Sequence, residues 1–189
     1  MKKIVNLLAI VSVGLLTACG GGEEDKPKKE GGEEQVDLDG FEALNLAEYD
    51  LNVTLMLPTK ETAVGTVKPQ VDHEDGGFKW HISVGPTFGM TIEDFGSEGN
   101  LVQRHKERLA EKEFFHVEYI KEDGNVILYK RLLKYDGKVE ETEKKNIYFV
   151  FGEFQIGNVN YNVKSTEEGL FKPEAEELMN TVKSIKVNE

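Results

Sequence analysis

Apolar and polar side chains alternate with a period of two along most of the chain after residue 46, a pattern typical of half-buried β-strands. The clearest run is residues 78–84, in which apolar side chains alternate with Lys79, His81 and Ser83. The same pattern predicts strands over residues 51–57, 88–92, 114–121, 126–134, 147–154 and 159–163. Residues 147–154 are apolar on both faces, so we expect a central strand there.

Two segments instead show the apolar spacing of an amphipathic helix. Over residues 97–112, Leu101 and Leu109 share a stripe with His105, which we expect to lie at the edge of the core. The C-terminal helix is expected to begin at Pro173, because proline suits the first helical position and glutamates follow it in the first turn. Both helices are expected to lie on the surface of a sheet.

Turn signals between the predicted strands favour antiparallel neighbours. Asp123-Gly124-Asn125 separates two apolar runs, and Ile156-Gly157-Asn158 separates two more. The order of elements, with strands, a helix, hairpins and a closing helix, is typical of an α+β domain. We therefore expect one α+β domain over residues 47–189, with an antiparallel β-sheet of about six to seven strands and an internal helix and a C-terminal helix packed on it.

This arrangement resembles that of the PsbP-like and DcrB-like domains. The residues that carry the resemblance are Leu55-Met56-Leu57-Pro58, the glycine-punctuated hairpins, Asn160-Tyr161-Asn162-Val163 and Met179-Asn180-Thr181-Val182-Lys183-Ser184-Ile185. They cover about residues 49–186, and every one of these motifs concerns the fold. The resemblance implies a non-catalytic binding or assembly role, and it transfers no functional residue.

The first twenty residues have the three-part layout of a secretory signal peptide. Two lysines precede an apolar run over residues 4–16, which is shorter than the roughly 20 residues that a membrane span requires. Leu16-Thr17-Ala18-Cys19 resembles a bacterial lipobox, which implies cleavage after residue 18 and a lipid on Cys19. Since Cys19 is the only cysteine, it has no intramolecular disulfide partner. We predict that residues 1–18 are removed and that the lipid on Cys19 attaches the protein to a membrane.

Residues 19–46 are expected to form a tether between this lipid and the domain. Their first half is rich in glycine and in charged side chains, and it cannot bury enough apolar surface to fold. The glycine run followed by Glu23-Glu24-Asp25 resembles the acidic signal that directs some Bacteroidetes lipoproteins to the cell surface. The sequence therefore predicts an outer-membrane lipoprotein, and both the periplasmic side and the cell surface remain open.

The chain is acidic, with a formal net charge of −12 that becomes −14 when residues 1–18 and their two lysines are removed. An acidic surface repels phosphate backbones, so we expect no nucleic-acid partner. The sequence also has no Gly-x-Ser-x-Gly elbow, no phosphate-binding loop and no His-Glu-x-x-His motif, so we expect neither an enzyme nor a cofactor. Basic residues in and after the 126–134 strand, including Lys130 and Arg131, are interpreted as charge balance.

One short cluster contains possible metal ligands. Asp72, His73 and Asp75 lie within four residues, in a polar stretch before Gly76-Gly77. Carboxylates and an imidazole are ligands for divalent cations, so these three residues are weak metal-site candidates. Exposed acidic turns are common, and a solvated loop without an ion is the favoured interpretation.

The polar side of the predicted sheet is a second candidate region. If neighbouring strands are in register, then Lys79, His81, Asn160 and Asn162 lie together with Lys164 as a hydrogen-bonding surface for a glycan or a peptide. The alternative is a solvated sheet face, or a face that a helix covers.

Three classes of function remain. The leading hypothesis is a lipid-anchored, non-catalytic module of the cell envelope that binds a protein or a polymer. The second is a lipoprotein that binds a small ligand, a glycan or a divalent ion. A hydrolase with a dispersed site is the least favoured, because no catalytic motif is present.

Overall fold

The structure is a computed structural model that describes residues 36–139 and 147–189. Within these residues the chain forms thirteen β-strands and two α-helices. In chain order they are β1 (Phe41–Asn45), β2 (Val53–Pro58), β3 (Lys60–Thr62), β4 (Gly65–Val67), β5 (Gln70–Asp72), β6 (Lys79–Val84), β7 (Phe88–Asp94), α1 (Leu101–Ala110), β8 (Phe115–Asp123), β9 (Val126–Tyr135), β10 (Lys138–Val139), β11 (Tyr148–Ile156), β12 (Val159–Ser165), α2 (Lys172–Lys183) and β13 (Lys186–Val187). The predicted signal peptide, Cys19 and most of the predicted tether lie outside the described residues.

Eight strands form the main sheet, in the order β10–β9–β11–β12–β7–β6–β5, with β8 also paired to β9. All of these pairs are antiparallel. The predicted α+β class and the mainly antiparallel sheet are confirmed, but the sheet has eight strands instead of six or seven. The edge strands β5 and β10 have only three and two residues, so a period-two pattern cannot reveal them.

One face of the main sheet packs against α2. Ile92 of β7 and Val163 of β12 join Leu178 and Val182 of α2 in one buried cluster. Gly152 of β11 permits the close approach of the helix, because a Cβ at this position would lie 2.6 Å from Val182 Cγ1. The C-terminal helix predicted from Pro173 onward is therefore confirmed as a surface helix on the sheet.

A second, three-stranded sheet has the order β1–β2–β13 and also contacts α2. Leu55 and Leu57 of β2 are buried in the same cluster as the α2 side chains, and Leu46 after β1 is fully buried there. The C-terminal boundary of the tether predicted for residues 19–46 is wrong. β1 pairs with β2 and therefore belongs to the folded domain. No side chain of β1 is fully buried, so its hydrophobic pattern is weak.

The helix α1 lies on the opposite face of the main sheet. A separate buried cluster joins it to β9 and β11 through Leu101, Val102, Leu109, Ile127, Tyr129, Phe149 and Phe151. The backbone N–H of Leu101 donates a hydrogen bond of 2.5 Å to Glu153 Oε2, so a strand side chain caps the helix N-terminus. α1 contacts β8 and β11, and its C-terminal turn lies beside the polar part of this face.

Candidate functional site

The strand registers place most of the predicted ligand-binding residues on one face of the main sheet. Lys79 of β6 is paired with Glu93 of β7, which is paired with Asn162 of β12. Because β7 lies between the other two strands, the backbones that carry Lys79 and Asn162 are about 10 Å apart. Asn160 lies further along β12, where its amide donates to the carbonyl of Gly96 at 3.4 Å.

Glu93 connects the side chains of this row. Its carboxylate is 2.8 Å from Lys79 Nζ and 2.9 Å from Lys164 Nζ, and it accepts a hydrogen bond of 3.3 Å from the Asn162 amide. Burial raises the pKa of Glu93, but the hydrogen bonds from Lys79 and Lys164, the charge of Lys164 and the Asn162 amide outweigh this effect and lower the pKa to about 2. Glu93 is therefore a carboxylate at every physiological pH.

A second row lies beside the first. His81 of β6 is paired with Thr91 of β7, which is paired with Lys164 of β12. His81 Nδ1 is 3.0 Å from Thr91 Oγ1, and the imidazole is otherwise exposed. We call the six side chains of the two rows the polar platform, namely Lys79, His81, Thr91, Glu93, Asn162 and Lys164.

A cleft of about 330 Å³ lies between the C-terminal turn of α1 and the platform. Its lining residues are Glu93, Phe95, His105, Arg108, Leu109, Lys112, Tyr129, Arg131, Phe151, Asn162 and Lys164. We call this cavity the α1 cleft. Its lining has four cationic side chains and a single carboxylate, Glu93, although the chain as a whole is acidic.

Most of these cations are not neutralised by a carboxylate of the described residues. Arg108 lies in the last turn of α1 and Lys112 lies two residues beyond its end, and neither forms an ion pair with any residue that the structure describes. The guanidinium of Arg131 lies 4.1 Å from the ring centroid of Phe149 and 4.6 Å from that of Phe115, so aromatic contacts fix its position. The cleft therefore presents positive charge that the described residues do not compensate.

His105 is an uncharged side chain that lines the cleft among the cations. Its ring stacks on Phe151 at a centroid distance of 4.0 Å, and Nε2 is 3.0 Å from Tyr129 Oη. Burial lowers the pKa of His105, and nearby cations, first among them Arg108, lower it further to about 4. Burial raises the pKa of Tyr129 to about 12. Both groups are therefore uncharged at pH 7 and available for hydrogen bonding.

Asn162 contributes an unsatisfied acceptor to the same lining. The residue is 2% exposed, and its Oδ1 has no hydrogen-bond partner in the part of the chain that the structure describes. Its amide nitrogen donates to Glu93, which fixes the oxygen as the free atom. A buried acceptor without a partner costs about 1–3 kcal/mol. A donor group on a ligand would remove this cost.

The weak metal-site candidates are not brought together. His73 stacks on Trp80 at 4.6 Å, and its Nδ1 is 2.8 Å from the carbonyl oxygen of Lys79. Asp72 ends β5 opposite His81, and Asp75 lies in the following turn. Within residues 36–139 and 147–189, no three His, Cys, Asp or Glu side chains are grouped closely enough to hold a metal ion.

The most informative cleft residues are not evident in the sequence. Arg131 belongs to the basic group interpreted as charge balance, and Arg108 and Lys112 belong to the polar side of a predicted helix. The spacing of Arg108 and Lys112 next to His105 is the one local signal, since these three side chains follow the helical repeat. Their meeting with Arg131 depends on how α1 crosses β9, which no local pattern encodes.

Comparison with known proteins finds no match for the chain among family models, curated proteins or solved structures. Among the helices of the described residues, none is both long enough and apolar enough to cross a membrane.

Proposed function

We propose that this protein is a lipid-anchored, non-catalytic module of the cell envelope that binds an anionic ligand in the α1 cleft. One observation carries the proposal. Arg108, Lys112 and Arg131 converge on a single cavity without a carboxylate partner among the described residues, in a chain of net charge −12. Like charges repel one another, and an anion bound between them relieves this repulsion.

The magnitudes favour modest, reversible binding. A hydrogen bond to a charged group contributes roughly 1.5–3 kcal/mol, and two such bonds give roughly 3–6 kcal/mol. Ordering the exposed side chains of Arg108 and Lys112 offsets part of this gain. We therefore expect a dissociation constant on the order of 0.1–1 mM for a small anion at low ionic strength. A larger ligand with further contacts would bind more tightly.

The lining supports binding over catalysis. Its described residues include no serine, threonine or cysteine that would act as a nucleophile, and Glu93 is held as an ion between two lysines. His105 shares a hydrogen bond with Tyr129 and stacks on Phe151. The PsbP-like and DcrB-like resemblance, which implies a binding or assembly role, points in the same direction and stays a prediction.

The proposed location rests on Cys19. The lipobox at Leu16-Thr17-Ala18-Cys19 implies an outer-membrane lipoprotein, on the periplasmic side or at the cell surface. A lipid on this cysteine would hold the anion-binding domain close to the membrane, where envelope polymers and envelope proteins are available as partners.

Calorimetric titration of the detergent-purified full chain with inorganic phosphate tests the binding proposal. Replacing both Arg108 and Lys112 with Gln should weaken binding at least about tenfold, since it removes two charge-assisted contacts. Arg104→Gln is the matched control, because Arg104 lies on the same helix but pairs with Glu98 at 2.6 Å. An equal loss in the control and the double variant, or no phosphate binding at all, would contradict the proposal.

A second candidate function is assembly with a protein partner. Phe114, Leu133 and Tyr135 lie around the paired ends of β8 and β9, and each is more than half exposed. Exposed apolar groups of this kind often mark interaction surfaces. Crosslinking in intact cells, compared between the native protein and Leu133→Lys, tests this function, and an identical pattern of crosslinked partners would contradict it.

A further inference from the structure

A second cavity lies on the same face of the main sheet. Its volume is about 460 Å³, and its polar lining consists of Gln70, Asp72, His81, Ser83, Thr91 and Thr166. Thr91 of this lining is the register partner of Lys164, which lines the α1 cleft. The two cavities therefore meet at adjacent strands.

Together the cavities extend across the sheet from β9 to β5. Five inter-strand spacings separate these strands in the order β9–β11–β12–β7–β6–β5, which corresponds to roughly 24 Å. This length exceeds that of any single small anion. An occupant that contacts both ends is an elongated molecule that crosses the strands.

The two ends differ in chemistry. The α1 end has the cations Arg108, Lys112 and Arg131, which no carboxylate of the described residues neutralises. The other end has no cation among the described residues that line it, and it carries the exposed carboxylate of Asp72. A second negative charge on the occupant is therefore disfavoured at that end.

The groups between the ends suit hydroxyls. Asn162 Oδ1 is a buried acceptor without a partner within residues 36–139 and 147–189, and it needs a donor. His81, Ser83 and Thr91 each offer a donor or an acceptor to a group that can play both roles. Sugar hydroxyls have this double capacity. An extended peptide, in contrast, obtains its affinity by adding a strand at a sheet edge, whereas this surface is a sheet face.

We infer that the two cavities form one groove that binds an acidic glycan, with the carboxylate of an acidic sugar in the α1 cleft and neutral sugars over β12, β7 and β6. The inference rests on the proposed function, because it places the anionic group of the ligand in the α1 cleft. It adds that the ligand is a glycan and that the acidic sugar of the glycan lies at the α1 end of the groove. The guanidinium groups of Arg108 and Arg131 can each donate two parallel hydrogen bonds to a carboxylate.

The test compares three probes on the detergent-purified full chain by calorimetry: glucuronate, a xylotriose that carries one glucuronate, and xylotriose alone. The substituted xylotriose should bind about tenfold more tightly than glucuronate, because further hydrogen bonds form outside the cleft. His81→Ala should reduce this advantage about threefold and leave glucuronate binding unchanged. His116→Ala is the matched control, since His116 is an exposed histidine on β8, away from both cavities.

The outcomes separate the two proposals. If phosphate and glucuronate bind but the substituted xylotriose binds no more tightly than glucuronate, the glycan inference is wrong and the anion-binding proposal stands. Linear polyphosphate that binds as tightly as the substituted xylotriose also overturns the glycan inference, because the Asp72 end should reject further charge. If no anion binds, both proposals fail.

Discussion

Replacement of Glu93 by Gln should change the stability of the fold and the affinity of the α1 cleft for an anion in opposite directions. The substitution keeps the shape of the side chain but removes the one negative charge that faces Lys79, Lys164 and the Asn162 amide. Lys79 is largely exposed, so solvent screens its ion pair, which contributes little to stability. Lys164 is less exposed, with 36% of its side chain accessible. We expect a loss of about 1–3 kcal/mol in the free energy of unfolding.

The affinity for an anion should change in the opposite direction. An anion that contacts Lys164 lies about 6 Å from the Glu93 carboxylate, and their repulsion at an effective dielectric constant between 20 and 80 is roughly 0.7–2.8 kcal/mol. Removing this charge should therefore strengthen phosphate binding by roughly threefold to a hundredfold. Added salt should shrink the difference, since it screens the charges.

Urea unfolding gives the first quantity and calorimetric titration with phosphate gives the second. Glu98→Gln is the control, because Glu98 pairs with Arg104 on the surface and does not line the cleft. It should change each quantity by less than about 0.5 kcal/mol. A Glu93→Gln variant that is less stable and also binds phosphate more weakly would refute the electrostatic account of the cleft.

Three further changes test other parts of the account. The pKa of His105 is about 4 in the folded protein and ordinarily 6.5, so the unfolded chain binds more protons between pH 4 and 6.5 and the free energy of unfolding should fall as the pH decreases through this window. His105→Gln should flatten that decline, as measured by urea unfolding at several pH values. An unchanged slope would contradict the assignment of the decline to His105. Gly152→Ala places a Cβ 2.6 Å from Val182 Cγ1 and should lower the free energy of unfolding by about 1–3 kcal/mol. Gly99→Ala is the control, because its Cβ would meet nothing nearer than 4.0 Å, and equal melting temperatures for the two variants would contradict the prediction. Cys19→Ser should release the protein from washed membranes, and retention would show that another anchor exists.

The sheet and both helices follow from short-range patterns. Residues 78–84 alternate cleanly because β6 has one face in the core and one polar face, and α2 has the apolar stripe that its packing requires. Such periodicity reports burial directly. The pattern misses β1, which has no fully buried side chain, and the short strands β3, β4, β5, β10 and β13. These five short strands have two or three residues each, which is too short for a repeat.

The candidate site is only partly encoded in local sequence. The alternation in β6 and β12 places Lys79, His81 and Asn162 on a polar face, and the sequence predicts this much. Glu93 has no such signal, because its role arises from the insertion of β7 between the other two strands. Arg131 reaches the cleft because α1 crosses that part of the sheet, a long-range feature that no window of sequence contains.

The most direct test of the central claim is the titration of the His105 imidazole by NMR, with and without phosphate. In the free protein the pKa of His105 is about 4, lowered by burial and by the cations of the α1 cleft. An anion bound between Arg108 and Arg131 would neutralise part of that charge and so favour the protonated ring. We expect a higher pKa for His105 in the presence of phosphate. An unchanged pKa, at a phosphate concentration that saturates the calorimetric signal, would place the anion elsewhere and contradict the claim.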